Sequence, residues 1–228
     1  MEKRRDSATA YIILADGFET IEALTPLDVL RRCGVEVTTI SLNKTRAVRS
    51  SHGVTVEADA TMEDFMHNCN CSASGTGTGT NTSIAGTSSS AGSSTIASSA
   101  NTTAGSCLRQ ALVLPGGYPG YKNLCESAEV GALITQFHKE GKLLCAICGA
   151  PTALKANQIC RGAAITCHTS VKEELSDYYS ILSSAVVKYM NIITGMGAGR
   201  SLDFAFAIAE ALTSKEKVEE IKAKMEII

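Results

Sequence analysis

Residues 143–151 read LLCAICGAP: an apolar run that reaches Cys148, then two small residues, then Pro151. A short apolar run closed by a turn marks a buried parallel strand, and Pro151 falls near the start of a helix. A strand that runs through a tight turn of small residues into a helix has the layout of a nucleophile elbow, with cysteine in place of serine. The small neighbours permit a strained turn that lifts the side chain toward solvent. At a helix N-terminus the dipole and free N–H groups favour thiolate. The ordinary thiol pKa is about 8.5, so a modest depression makes Cys148 nucleophilic at neutral pH. The competing interpretation is a small apolar residue buried in a strand–helix turn.

Outward from this stretch, strands and helices alternate. Residues 10–15 (AYIILA) form another short apolar run. Asp16 through Glu19 then offer a capping-box-like helix start, and Gly34 supplies a C-terminal stop. Strands are expected at 35–41 and 111–114, with 47–50 and 54–58 paired as a hairpin. Amphipathic helix 128–140 leads through Gly141 into strand 142–147, and helix 149–156 follows it. Short strands at 164–166 and 191–194 precede helices at 201–212 and 215–224. Such alternation implies an α/β fold, a mostly parallel sheet covered by helices on both faces. Sites in such sheets lie at the carboxyl ends of strands.

Composition narrows the class. The 228 residues are 44% hydrophobic, which excludes wholesale disorder, and 21 basic against 23 acidic residues give a net charge of −2. That balance lacks the basic excess of a chain that lives on nucleic acid phosphates. No apolar run is long enough to span a membrane, and the opening residues lack the long apolar core of a secretory signal. The expected location is therefore cytoplasmic. Residues 72–106 contain only Ser, Thr, Gly, Ala and Asn apart from Ile84 and Ile96. Such a tract buries too little apolar surface to offset ordering entropy, so its composition predicts a disordered insertion. Nine cysteines, an odd number in a chain of this length, are expected to be mostly small buried residues rather than a disulfide framework. No Cys/His spacing of the zinc-finger kind is present, so no metal is expected.

Two further strand ends carry chemistry. After strand 111–114, Pro115-Gly116-Gly117 allows backbone N–H groups to turn into a pocket as an oxyanion hole, or makes an ordinary tight turn. Glu22 stands on the first helix, flanked by Ile21, Ala23 and Leu24. It is either a partly buried acid with a raised pKa and a proton to exchange, or part of a solvated helix face. His168 closes strand 164–166, where it can meet Cys148. His52, His67 and His138 have no such context, and His138, beside Lys139 and Glu140, is expected to be exposed. Cys145 and Cys148 form a C-x-x-C pair. Strand alternation is expected to turn Cys145 away from the pocket that Ile147 and Cys148 approach, which argues against thiol–disulfide exchange.

Five collinear motifs carry a resemblance: LADGFETIEALTPLDVLRRCG (14–34), VLPGGYPGYKNL (113–124), AICGAPTAL (146–154), ITCH (165–168) and IITGMGAGRSLDFAFAIAEAL (192–212). Together they resemble the ThiJ/PfpI family, in its Parkinson-disease protein deglycase-like branch, from about residue 8 to 224. The resemblance implies one flavodoxin-like α/β sandwich over residues 8–228, interrupted at 72–106, usually as a homodimer. It carries the reactive cysteine onto Cys148, the partner carboxyl onto Glu22, the pocket histidine onto His168 and the oxyanion-type amides onto Gly117 and Gly149. The implied activity is a cofactor-free glyoxalase or deglycase acting on 2-oxoaldehydes such as methylglyoxal and glyoxal and on their adducts. The alternative is an oxidative-stress sensor or redox-regulated chaperone that uses the same cysteine. Three positions depart from the family pattern: His52 stands where an arginine is common, Thr169 where a proline follows the histidine, and Met196 where an arginine precedes the late GxG.

Overall fold

The computed structural model describes residues 8–73 and 110–227. In chain order the elements are β1 (Thr9–Leu14), α1 (Thr20–Arg32), β2 (Glu36–Ser41), β3 (Ala47–Arg49), β4 (Thr55–Glu57), β5 (Ala60–Thr61) and α2 (Met62–Ala73). They continue with β6 (Gln110–Leu114), α3 (Gly120–Glu126), α4 (Ala128–Lys139), β7 (Leu143–Ile147), α5 (Pro151–Ala156), β8 (Ala164–Ile165), α6 (Lys172–Ser176) and β9 (Ser180–Ile181). The chain then forms β10 (Val186–Tyr189), β11 (Ile192–Gly195), α7 (Ser201–Leu212) and α8 (Lys215–Lys224).

Seven strands make the central sheet in the order β10-β11-β7-β6-β1-β2-β5. All neighbours are parallel except the edge pair β10 and β11. Alternation within the strands splits the core into two layers. From β6 and β7, Val113, Cys145 and Ile147 join Val29, Leu30, Phe204 and Ile208 of α1 and α7. Leu112, Leu114, Leu144 and Ala146 face Val130, Leu133, Ile134 and Phe137 of α4. Both strand faces are therefore apolar, the pattern of a parallel sheet covered on both sides. The fold is the expected flavodoxin-like α/β arrangement. Truncating a side chain such as Phe204, fully buried between α1 and the sheet, costs about 3–5 kcal/mol in cores of this kind.

The sheet grows from β1 outward in both directions, so β1 and β6 flank a topological switch point, where α/β folds form a crevice at the strand carboxyl ends. The loops that follow β1, β6 and β7 all open there. Gln110 begins β6 opposite Thr9, at the amino end of β1. The chain thus re-enters the described structure at the sheet edge away from that crevice. The composition-based expectation for 72–106 lies outside the described residues from 74 onward, while Ser72 and Ala73 close α2.

Several local expectations are corrected. Helix α1 begins at Thr20, and its N-cap is Glu19, whose Oε2 accepts the Glu22 N–H at 2.8 Å. Asp16 instead accepts the Arg49 N–H at 2.8 Å and so ties the loop after β1 to the β3–β4 hairpin. Helix α5 begins at Pro151 rather than at residue 149, because the elbow occupies the two preceding positions. Strand β8 pairs with β9 in a separate two-stranded sheet. Helix α3, which fills the crossover after β6, and edge strand β10 were not anticipated. Cys145 shares a strand face with Ile147, two residues on, so alternation does not separate them. What removes Cys145 from the pocket is complete burial under α7.

Candidate active site

Cys148 follows the last residue of β7 and has φ +65°, in the left-handed region that a residue with a Cβ rarely adopts. Two tertiary hydrogen bonds and one local turn bond hold this strain. The Cys148 N–H donates to Gly195 O at 3.0 Å, the Ala150 N–H to Ile147 O at 3.0 Å, and the His168 N–H to Cys148 O at 2.9 Å. The elbow is thus pinned by the ends of β7 and β11 and by the segment after β8.

Glu22 lies on the inner face of the first turn of α1 and is fully buried. Its Oε2 accepts the Gly116 N–H at 2.9 Å, and its carboxyl is hydrogen-bonded to the Cys148 side chain. Oε1 has no nitrogen or oxygen partner among the described residues. Desolvation dominates its titration. Burial raises the Glu22 pKa from 4.5 to about 7, against the opposing bonds to Cys148 and Gly116, and the charge of Glu19 adds to the rise. The solvated-face interpretation of Glu22 is excluded by its burial.

The thiol departs from expectation. With Glu22 ionised, burial and the facing carboxylate push the Cys148 pKa up, while the N–H groups of Gly117 and Gly149 hydrogen-bond to sulfur and pull it down. The helix terminus and small neighbours do not by themselves make a thiolate, because the carboxylate opposes them. The thiol therefore keeps its proton while Glu22 titrates. When the carboxyl is neutral the repulsion is gone, and its O–H can donate to sulfur.

Glycine is required beside this pair. A Cβ on Gly116 would lie 2.6 Å from both Cys148 Cβ and Glu22 Oε2. Gly117 has φ +88°, and a Cβ there would lie 2.3 Å from the Glu19 backbone nitrogen. The two glycines divide the work that the sequence suggested for an oxyanion turn: the Gly116 N–H goes to Glu22 and the Gly117 N–H to sulfur.

The pair opens into a cleft of about 660 Å³ lined by Glu19, His52, His168, Met196, Gly197 and Arg200, among others. His168 is exposed. Its Nδ1 accepts the Ser170 N–H at 3.2 Å and lies 2.8 Å from Ser170 Oγ, so the neutral ring carries its proton on Nε2. His52 is exposed on the hairpin side, its Nδ1 3.7 Å from Glu19 Oε1. Arg200 and Ser170 were not anticipated. Arg200 belongs to the turn that follows β11, a fourth strand end, and that position was its only sequence signal. Among the described residues no three His, Cys, Asp or Glu side chains converge as metal ligands, and no helix is long and apolar enough to cross a membrane.

Comparisons with known proteins identify the family and the fold. The model of the DJ-1/PfpI family matches residues 8–74 and 79–211. Protein dj-1beta of Drosophila melanogaster is 34% identical over 216 residues, which cover 94% of this chain and 95% of the relative. The glutathione-independent glyoxalase DJR-1.2 of Caenorhabditis elegans is 37% identical over 107 residues, 46% of this chain and 56% of the relative. The crystal structure of Drosophila melanogaster DJ-1beta superposes with a TM-score of 0.77 at 31% identity, covering 97% of this chain and 99% of that one.

Proposed function

This chain belongs to the DJ-1/PfpI family, and from that premise we propose that it is a cofactor-independent glyoxalase, with deglycase action on 2-oxoaldehyde adducts. The observation that carries this reading is the buried Glu22 carboxyl, held near pKa 7 against the Cys148 thiol and the Gly116 amide. An acid poised near the working pH serves as both base and acid within one turnover. The Caenorhabditis elegans relative named as a glutathione-independent glyoxalase supports the same reaction class.

Ionised Glu22 takes the Cys148 proton as sulfur adds to the aldehyde carbon of the 2-oxoaldehyde. The carboxylic acid returns that proton to the new alkoxide, which gives a hemithioacetal. Glu22 then removes the hydrogen from the former aldehyde carbon, forming an enediolate whose hydroxyl proton passes to the neighbouring oxygen, and delivers a proton to the adjacent carbon. The product is a 2-hydroxy thioester on Cys148, and water hydrolyses it to the 2-hydroxy acid and free thiol. The Gly117 and Gly149 amides stabilise charge at sulfur as it attacks and leaves. His168 offers its Nε2–H to the developing enediolate oxygen. Positioned acid–base groups of this kind contribute about 10²–10⁴-fold each.

The same geometry supports a redox role as a second reading. Glu22 Oε1 lacks a nitrogen or oxygen partner, so a protonated Glu22 can bond an oxygen added to the Cys148 sulfur. We also read the protein as a homodimer, because Ile21, Val54 and Leu202 leave large apolar side chains 43–48% exposed.

Incubation with methylglyoxal, without added glutathione or metal, tests the enzyme reading. Stoichiometric lactate with multiple turnovers is expected. Consumption that stops at one equivalent per chain would leave only covalent capture and overturn catalysis.

A further inference from the structure

A second cysteine stands in a built environment far from the cleft. Residues 158–162, between α5 and β8, make a turn in which every other residue is left-handed: Gln158 has φ +56°, Cys160 +45° and Gly162 +83°. Cys148 and Cys160 are the two cysteines among the described residues with positive φ. The Gly162 N–H donates to Tyr178 O at 2.8 Å and the Tyr179 hydroxyl to Ile159 O at 2.7 Å, so the turn is anchored on both sides of Cys160.

The half-buried Cys160 sulfur lies 3.8 Å from Nε2 of His138, in the last turn of α4. His138, expected to be exposed, is half-buried instead, because the 158–162 turn packs over the end of α4. Its Nδ1 is buried without a hydrogen-bond partner. A proton on Nδ1 would leave an unsatisfied N–H, whereas a lone pair there is tolerated more readily. The neutral ring thus carries its proton on Nε2, directed at sulfur. A ring N–H aimed at sulfur stabilises thiolate. Burial opposes this by raising the thiol pKa.

Cys125 provides an internal contrast. It too is half-buried, with its pKa raised by burial, but its sulfur donates to Thr152 O at 3.8 Å. A carbonyl acceptor holds the S–H proton in place. Two thiols of similar burial therefore face opposite partners.

We propose that Cys160, supported by His138, is a second modification site, a thiol that reacts with small hydroperoxides. The thiol releases its proton to solvent, and the Nε2–H holds the resulting thiolate. Sulfur attacks the outer peroxide oxygen, an S–O bond forms and the O–O bond breaks. Sulfur is oxidised by two electrons to the sulfenic acid. The leaving oxyanion takes a proton from solvent and departs as water or alcohol. The site is separate from the cleft: α4 ends where β7 begins, and Cys148 lies beyond the other end of β7, five residues at about 3.3 Å each.

The test is exposure of the full chain to hydrogen peroxide at neutral pH with dimedone present, which traps sulfenic acid, followed by trypsin digestion. Peptide 156–161 contains Cys160 as its only cysteine, and peptide 123–139 contains only Cys125. Labelling of Cys160 is expected to run at least about tenfold faster than that of Cys125, and to fall about tenfold in His138→Phe, which keeps a ring but removes its N–H. Equal rates at Cys160 and Cys125 in the parent overturn the proposal, whether or not the variant folds. An unchanged Cys160 rate in a folded His138→Phe protein overturns the role of the imidazole.

Discussion

Two of the described cysteines sit at left-handed backbone positions, and each faces a different partner. Cys148 closes the carboxyl end of β7, where three backbone hydrogen bonds fix the elbow and two amides approach sulfur. Its partner is a fully buried carboxyl that titrates near pH 7 beside a protonated thiol, so Glu22 can take and return the thiol proton. Cys160 sits beyond the amino end of the same sheet, half-buried, with an imidazole as its partner. A carboxyl raises the thiol pKa when ionised and serves as proton carrier; an imidazole N–H stabilises the thiolate and carries no proton away. At both strained positions the proposed chemistry is set by the partner that faces sulfur.

The sharpest way to break this comparison is to remove the cleft thiol. Cys148→Ala is expected to abolish 2-oxoaldehyde conversion while the far-UV circular dichroism and the dimedone labelling of Cys160 stay at parent levels. Residual turnover near the parent rate would place the nucleophile elsewhere.

The next largest effect is expected from Glu22→Gln, which keeps the shape but removes the exchangeable proton. Turnover should fall by at least about 10²-fold. In the parent, kcat/KM should rise with pH through an inflection near 7, as Glu22 ionises, and the variant should lose that inflection. Stability supplies an independent reading. An acid whose folded pKa is raised from 4.5 to about 7 binds its proton more tightly in the folded state. Its contribution is fully present below pH 4.5 and is lost as pH rises to 7. The parent should therefore lose up to about 3 kcal/mol across that window relative to Glu22→Gln, at 1.36 kcal/mol per pKa unit. Thermal unfolding of both proteins from pH 4.5 to 8 measures it, and parallel curves would show that Glu22 is not desolvated.

The smallest effect is expected from Cys145→Ala. Cys145 is fully buried, and burial alone raises its thiol pKa. The substitution should leave kcat/KM within about twofold and cost roughly 1 kcal/mol in denaturant unfolding, through lost packing. A large loss of turnover would revive the C-x-x-C pair as a working unit.

Much of the fold was legible because its signals are local. The apolar runs at 10–15, 111–114 and 143–147 lie within one residue of β1, β6 and β7, and helices 201–212 and 215–224 coincide with α7 and α8. The start of α1 was misplaced because Asp16 and Glu19 are both competent caps. A contact with Arg49, 33 residues away, takes Asp16 out of competition. Helix α3 is only seven residues long, with Pro119 as its N-cap and no side-chain cap bond, so it carries little local signal. At the candidate site, strand ends and helix position singled out Cys148, Glu22 and His168, which the structure brings to one cleft. Arg200 was not, because the turn after β11 was not weighed as a strand end.

By itself the sequence determined the alternation of strands and helices, the small-residue elbow at Cys148 and the candidacy of Glu22, since each is written in neighbouring residues. Only the tertiary structure decided that Glu22 is desolvated, that its carboxyl is hydrogen-bonded to Cys148, and that His138 meets Cys160 rather than solvent. Those properties are sums over groups distant in the chain. The Gly116 amide that holds Glu22 lies 94 residues from it, and His138 lies 22 residues from Cys160. Desolvation and charge depend on everything packed around a group, and packing exists only once the sheet has brought the strand ends together.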